Sequence, residues 1–249
     1  MVSVGGGSGR QISRKGSYSW PNGFDDIGRL IFQQSFITNL SDSDLYMWSS
    51  GHVTRLPAAL NNKRWQYGGD RWGDWLVYGE NQFSTKSSPW TIFSYNFSTQ
   101  TKHLLASSTR GCGCIDPGNV VGTLASYRLA RHIAVEQLAT TPTVIGTTSP
   151  PPGFSDDYPF LTDPTPAQAN SGDETLFWVR TKTGPCGNGV QIVQAPLDDL
   201  SALTVVDSFK TGAVDSLSVD DSTGARNLYF GRSTCTKDPK GDIFEIANV

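Results

Sequence analysis

The residues best suited to chemistry are five aspartates spaced at about fifty residues: Asp26, Asp70, Asp116, Asp173 and Asp221. They precede the aromatics Phe32, Tyr78, Tyr127, Trp178 and Phe230 by 6, 8, 11, 5 and 9 residues. Gathered at one mouth of a pore, such carboxylates would hold a cation, a sugar or a basic peptide. Two of them about 5–9 Å apart would suit glycoside hydrolysis, one as acid and one as base or nucleophile. The competing reading is turn chemistry, because Asp near Gly favours turns. The unequal offsets support that reading, since they do not force the side chains onto one ring.

Aromatic residues form the second group. Trp20, Trp65, Tyr67, Trp72 and Trp75 crowd the first third of the chain. Exposed Trp beside polar groups stacks on sugar rings or anchors protein partners, whereas buried Trp fills gaps between packed sheets. Trp75, Trp90 and Trp178 read as packing residues. Trp72, inside Asp70-Arg71-Trp72-Gly73-Asp74, fits either role. His52, His103 and His132 each open a strand-like run and read as solvent-facing, with no converging set for zinc. No G-x-S-x-G elbow supports a serine triad. Cys112-x-Cys114 has no partner pair for a zinc site. The pairs Asp198-Asp199 and Asp220-Asp221 lack the ligand order of a calcium loop. Two glycosylation sequons, at Asn39 and Asn96, matter only in a eukaryotic setting.

The chain that must position these groups has 249 residues, 17% of them charged, with a formal net charge of −3. No basic stripe marks a nucleic-acid partner. No apolar run of eighteen residues marks a membrane span. Residues 1–9 are glycine-rich and lack the apolar core of a signal peptide, so they read as a flexible segment ahead of one domain over 10–249. With 26 Gly and 14 Pro, much of the chain lies in turns, yet 37% hydrophobic residues suffice for a core.

The organising signal is a repeat. A Gly-bearing turn, an apolar run and an aromatic recur at Gly28-Arg29-Leu30-Ile31-Phe32, Gly73-Asp74-Trp75-Leu76-Val77-Tyr78, Gly122–Tyr127, Leu176-Phe177-Trp178 and Leu228-Tyr229-Phe230. The aromatics are 46, 49, 51 and 52 residues apart, and the step from Phe230 through the chain ends to Phe32 is 51. A ring satisfies that closure; a linear array has no reason to. Four strand-like runs fit each period, with the aromatic run first. The pattern predicts an all-β, five-bladed β-propeller with four antiparallel strands per blade. Its last blade is closed by N- and C-terminal strands: Arg10–Lys15 and Ser17–Trp20 beside Asn227–Gly231 and Asp242–Ile246. The third unit is the weak one. Ala125–Leu138 has a helix-like composition, and the prolines between 150 and 166 predict a loop in place of an outer strand.

In that frame Cys186 and Cys235 fall in equivalent hairpins of neighbouring blades, so they are predicted to form a disulfide, which implies an extracellular or periplasmic protein. Cys112 and Cys114 either pair with each other or stay as thiols.

The turns Trp20-Pro21-Asn22-Gly23-Phe24 and Ile115-Asp116-Pro117-Gly118-Asn119, and the run Asp44–Gly51, resemble the S-P-D-G turn and following strands of TolB-like (WD40-like) propeller repeats. The resemblance covers most of the chain, but no unit carries the full S-P-D-G, and TolB itself has six blades. It implies a propeller used for binding partners and supplies no catalytic residues. The resulting expectation is a monomeric, non-enzymatic binding module without cofactor or metal, offering a rim or channel mouth to a protein or glycan. Its candidate ligand-binding residues are Trp20, Asp26, Asp70, Trp72, Asp116, Asp173 and Asp221. The alternative is a glycoside hydrolase-like propeller with channel-facing carboxylates, and the third possibility is an artificial or permuted scaffold.

Overall fold

The structure is a computed structural model that describes residues 12–13, 16–25, 27–36, 39–81, 89–108, 115–162, 174–182, 188–220, 226–235 and 241–249. All its regular elements are β-strands. Each unit is an antiparallel meander. The first comprises β1 (Ser17–Phe24), β2 (Leu30–Phe36), β3 (Asn39–Ser49) and β4 (His52–Arg55). The second comprises β5 (Trp65–Trp72), β6 (Trp75–Asn81), β7 (Trp90–Asn96) and β8 (Thr101–Ser107). A lone parallel bridge between Ser43 and Trp65 joins these two meanders into one hydrogen-bonded sheet. The third comprises β9 (Ile115–Val121), β10 (Leu124–Leu129), β11 (His132–Gln137) and β12 (Thr143–Thr147). The fourth comprises β13 (Phe154–Thr162), β14 (Thr175–Lys182), β15 (Asn188–Pro196) and β16 (Thr204–Phe209). The last shows three strands among the described residues: β17 (Ala213–Asp220), β18 (Asn227–Ser233) and β19 (Gly241–Ala247).

The second strand of each unit explains the repeat. Neighbouring residues of a strand point to opposite faces, and here both faces are covered. Leu76 and Tyr78 enter the core shared with Ile31 and Leu45, whereas Val77 enters the core shared with Ile115 and Tyr127. Trp178 faces Ile133 and Val135, while Phe177 and Val179 face Leu228 and Phe230. A strand buried on both faces needs an unbroken apolar run, which is what the sequence shows. Phe32, Tyr78, Tyr127, Trp178 and Phe230 are all buried. The expected packing role also holds for Trp178, which is fully buried, and for Trp75 and Trp90, which lie against the core between the second and third units.

The strands lie where the repeat puts them, but the grouping shifts by one. The aromatic run is the second strand of its unit, not the first. Two-residue turns decide this. Gly73-Asp74 and Gly122-Thr123, with φ of 53° and 57° at their glycines, close β5 onto β6 and β9 onto β10. Consequently Ser17–Phe24 pairs with Leu30–Phe36 rather than with the C-terminal strands. The expected strand over 10–15 lies outside the described residues apart from Ile12 and Ser13. Ile12 packs against Leu30, Phe32 and Tyr46. The helix-like stretch is a hairpin turning at Ala130-Arg131, with Ala130 at φ 57°. The predicted loop between 150 and 170 contains the nine-residue β13, because Pro159 falls where the pairing is already broken.

Candidate functional site

The first strands carry the site. Every one of the five is interrupted by a register shift against its second strand: at Pro21/Gly23, Tyr67/Asp70, between Pro117 and Val120, at Asp157/Phe160 and at Val214/Ser216. A bulge bends its strand and re-aims the side chains around it. The segments resembling S-P-D-G turns are therefore not turns ahead of an inner strand. They are bulges inside β1 and β9.

Residues at and beside the bulges from all five first strands line one cavity of about 700 Å³. Side chains at the bulges also tie successive units together. The Asn22 amide donates to the Gly68 carbonyl at 2.7 Å. The Val120 amide donates to Asp70 Oδ2 at 2.8 Å. Asn119 donates from Nδ2 to the Leu161 carbonyl and accepts from the Leu161 amide, both at 2.7 Å. Close approach fixes two glycines here. Asp70 Oδ1 stands where a Cβ on Gly23 would be, and a Cβ on Gly68, at φ 59°, would run into the Pro117 ring.

Three aspartates line the cavity, and they are its only charged lining residues among those described: Asp70, Asp116 and Asp157. Burial pushes the Asp70 carboxyl up to about 7, against the pull of the Val120 and Arg71 amides, with Asp25 adding to the rise. Burial also raises Asp116 to about 6; the neighbouring Asp157 charge adds to this and Arg128 opposes it. Asp157 is raised by burial too, and Arg128 and the Tyr158 amide hold it back. Arg128 Nη1 donates to Asp157 Oδ2 at 2.6 Å and stands 3.7 Å from Asp116 Oδ2, so one guanidinium serves two carboxylates. Tyr158, exposed at this rim, holds a φ of 49°, a region that non-glycine residues enter only at a cost. Phe24, Trp72 and Phe160 complete the aromatic lining.

Of the residues singled out in the sequence, Asp70, Trp72 and Asp116 meet at this cavity. Asp70 does so as a clamp between β5 and β9. Trp72 packs against two cores and also lines the cavity. Trp20 lies outside the lining, stacked against Tyr18 and edge-on to Trp65. Asp26, Asp173 and Asp221 lie outside the described residues. His52 is exposed as expected, but His103 and His132 are half-buried, and the His132 Nδ1 lies 2.9 Å from the Thr148 carbonyl. Asn96 is buried in its own turn, with Oδ1 accepting from the amides of Ser98 and Thr99, so this sequon asparagine is spent structurally. Cys235 is disulfide-bonded. Cys112, Cys114 and Cys186 lie outside the described residues, and so does the predicted pairing. Sequence reasoning missed Asn22, Asn119, Arg128, Asp157 and Tyr158. A signal for Asp157 was present, since Asp157-Tyr158-Pro159 repeats the acid-then-proline order of Asp116-Pro117.

No family model and no curated protein matches the chain. Solved structures do. A prolyl endopeptidase matches with a TM-score of 0.51 and 10% identity, over 91% of this chain and 35% of that one. The putative TolB from Agrobacterium tumefaciens gives 0.43 and 14%, over 73% of this chain and 62% of that one. The fungal lectin of Aleuria aurantia, a six-bladed β-propeller with a fucose recognition mode, gives 0.47 and 9%, over 93% and 77%. The chain thus spans about a third of the prolyl endopeptidase. At these identities the likeness is one of fold, and the four-stranded antiparallel sheets of this chain are consistent with propeller blades.

Proposed function

We propose that this chain is a five-bladed β-propeller whose ring is completed by its N-terminal residues beside β19, and that it is an exported, non-enzymatic binding module. The fifty-residue period supports the closure, and so does the last unit, which shows three strands among the described residues. The disulfide at Cys235 supports export. The cavity supports binding: it is walled by five first strands, all its charged lining is acidic, and Phe24, Trp72 and Tyr158 stand among the acids. Carboxylates beside aromatic faces favour a cationic group, through both charge and the ring quadrupole. The partner that fits is a protein presenting a lysine- or arginine-bearing loop or terminus.

Calorimetric titration with short basic, neutral and acidic peptides tests this. Basic peptides bind, and D116N and D157N weaken them at least tenfold. Equal affinity for all three peptide classes, or binding indifferent to both substitutions, would sink the proposal. The carboxylate pair also sustains the hydrolase alternative. Turnover of aryl glycosides by the wild type that D116N abolishes would replace the binding reading with that one.

A further inference from the structure

A second surface lies apart from the cavity. Tyr18 and Trp20 alternate along β1 and so share one face, yet they remain 50% and 43% exposed. Their rings stack with centroids 6.1 Å apart and planes at 27°. Trp65, the first residue of β5, meets Trp20 edge-on at 5.8 Å and 64°. None of the three lines the cavity. Phe24 and Trp72, which do, stand at the opposite ends of the same two strands.

The floor beneath these rings is polar. In the β1–β2 register Tyr18 stands opposite Ser35 and Trp20 opposite Gln33, so these four side chains occupy the same sheet face. Gln33 and Ser35 are both buried. Gln33 Nε2 donates to Ser43 Oγ at 3.3 Å. Ser35 Oγ is fully buried with no hydrogen-bond partner among the described residues.

Two half-exposed rings with a third at their edge match the apolar C–H face of a sugar. The C–H face of a pyranose covers the rings while its hydroxyls stay in water. The patch is small for a protein partner, which typically covers about 800 Å² per side. We propose that Tyr18, Trp20 and Trp65 form a stacking platform for a neutral saccharide chain. This reading does not rest on the cavity and stands or falls separately from it.

Tryptophan fluorescence, titrated with neutral hexasaccharides of β-1,4-glucan, β-1,3-glucan, β-1,4-mannan and chitin type, provides the test. At least one of them gives a saturable change. W20A lowers that affinity tenfold or more, W20F retains part of it, and D116N leaves it unchanged. Far-UV circular dichroism confirms that the exposed Trp20 and Tyr18 positions tolerate alanine. The proposal is overturned if no saccharide produces a saturable change, or if W20A and Y18A bind like the wild type.

Discussion

Asn119 offers the sharpest test of how the units are held. β13 is the edge strand of its unit, so the Leu161 amide and carbonyl that meet Asn119 have no neighbouring strand on that side. Leu161 is buried, and one asparagine side chain satisfies both groups while also accepting from the Ser126 hydroxyl at 2.9 Å. N119A orphans a buried N–H and a buried C=O. Each costs about 1–3 kcal/mol, so the loss is about 3–4 kcal/mol against the roughly 5–15 kcal/mol of a whole domain. With a urea slope of about 3 kcal/mol/M, the unfolding midpoint falls by on the order of 1 M. Urea titration followed by tryptophan fluorescence reads this directly. N119D keeps the acceptor but points a carboxylate at the Leu161 carbonyl, so it is at least as unstable at neutral pH and recovers on acidification. If N119A costs less than about 1 kcal/mol, Asn119 does not bear the junction between the third and fourth units.

Three further outcomes follow from the same geometry. The raised Asp70 carboxyl, at about 7 against an ordinary 3.8, keeps a proton in the native state that the unfolded chain releases. Its contribution to stability therefore falls as pH climbs from about 4 to about 7. D70N flattens that part of the stability profile, and an unchanged slope would exclude Asp70 as its source. Arg180 donates to both Asp156 oxygens at 2.7 and 2.9 Å with both side chains buried, so D156A strands a guanidinium and costs about 3–5 kcal/mol in chemical denaturation; a loss under 1 kcal/mol would mean water reaches it. Peptide mapping without reduction yields a Cys186–Cys235 link, and a link from Cys235 to Cys112 or Cys114 instead would refute the predicted pairing.

The fold was legible where burial on both faces leaves a continuous apolar run, as at Trp75-Leu76-Val77-Tyr78. Strand positions followed from that almost throughout. Strand grouping did not, because hydrogen-bond partners are chosen by turn geometry, and the weight of the aromatic runs hid the two-residue turns at Gly73 and Gly122. β13 was lost to its prolines, although a proline is harmless where a bulge has already removed the ladder bond. The site was half legible. Asp70 and Asp116 stood out as acids near glycine. Arg128, the partner of Asp116, and Asn119, which bonds Leu161, look like ordinary strand and turn residues until the neighbouring unit is in place. Trp20 was named as a candidate ligand residue and Trp65 as part of the same aromatic group, but Tyr18, beside Trp20 on β1, was missed, and the contact between Trp20 and Trp65, forty-five residues apart, needs β1 and β5 side by side.

The interrupted first strands have a bearing on how such a molecule diversifies. In an unbroken ladder, inserting or deleting a residue flips every later side chain to the wrong face. A bulge absorbs that change locally, since its extra residue has no partner to lose. This chain places one such spot in each unit, around a single opening. Three of these spots also carry the side chains that hold the next unit, Asn22 on Gly68, Asp70 on Val120 and Asn119 on Leu161, so the residues that shape the opening also lock the units together, and a change at one spot is felt at its neighbour.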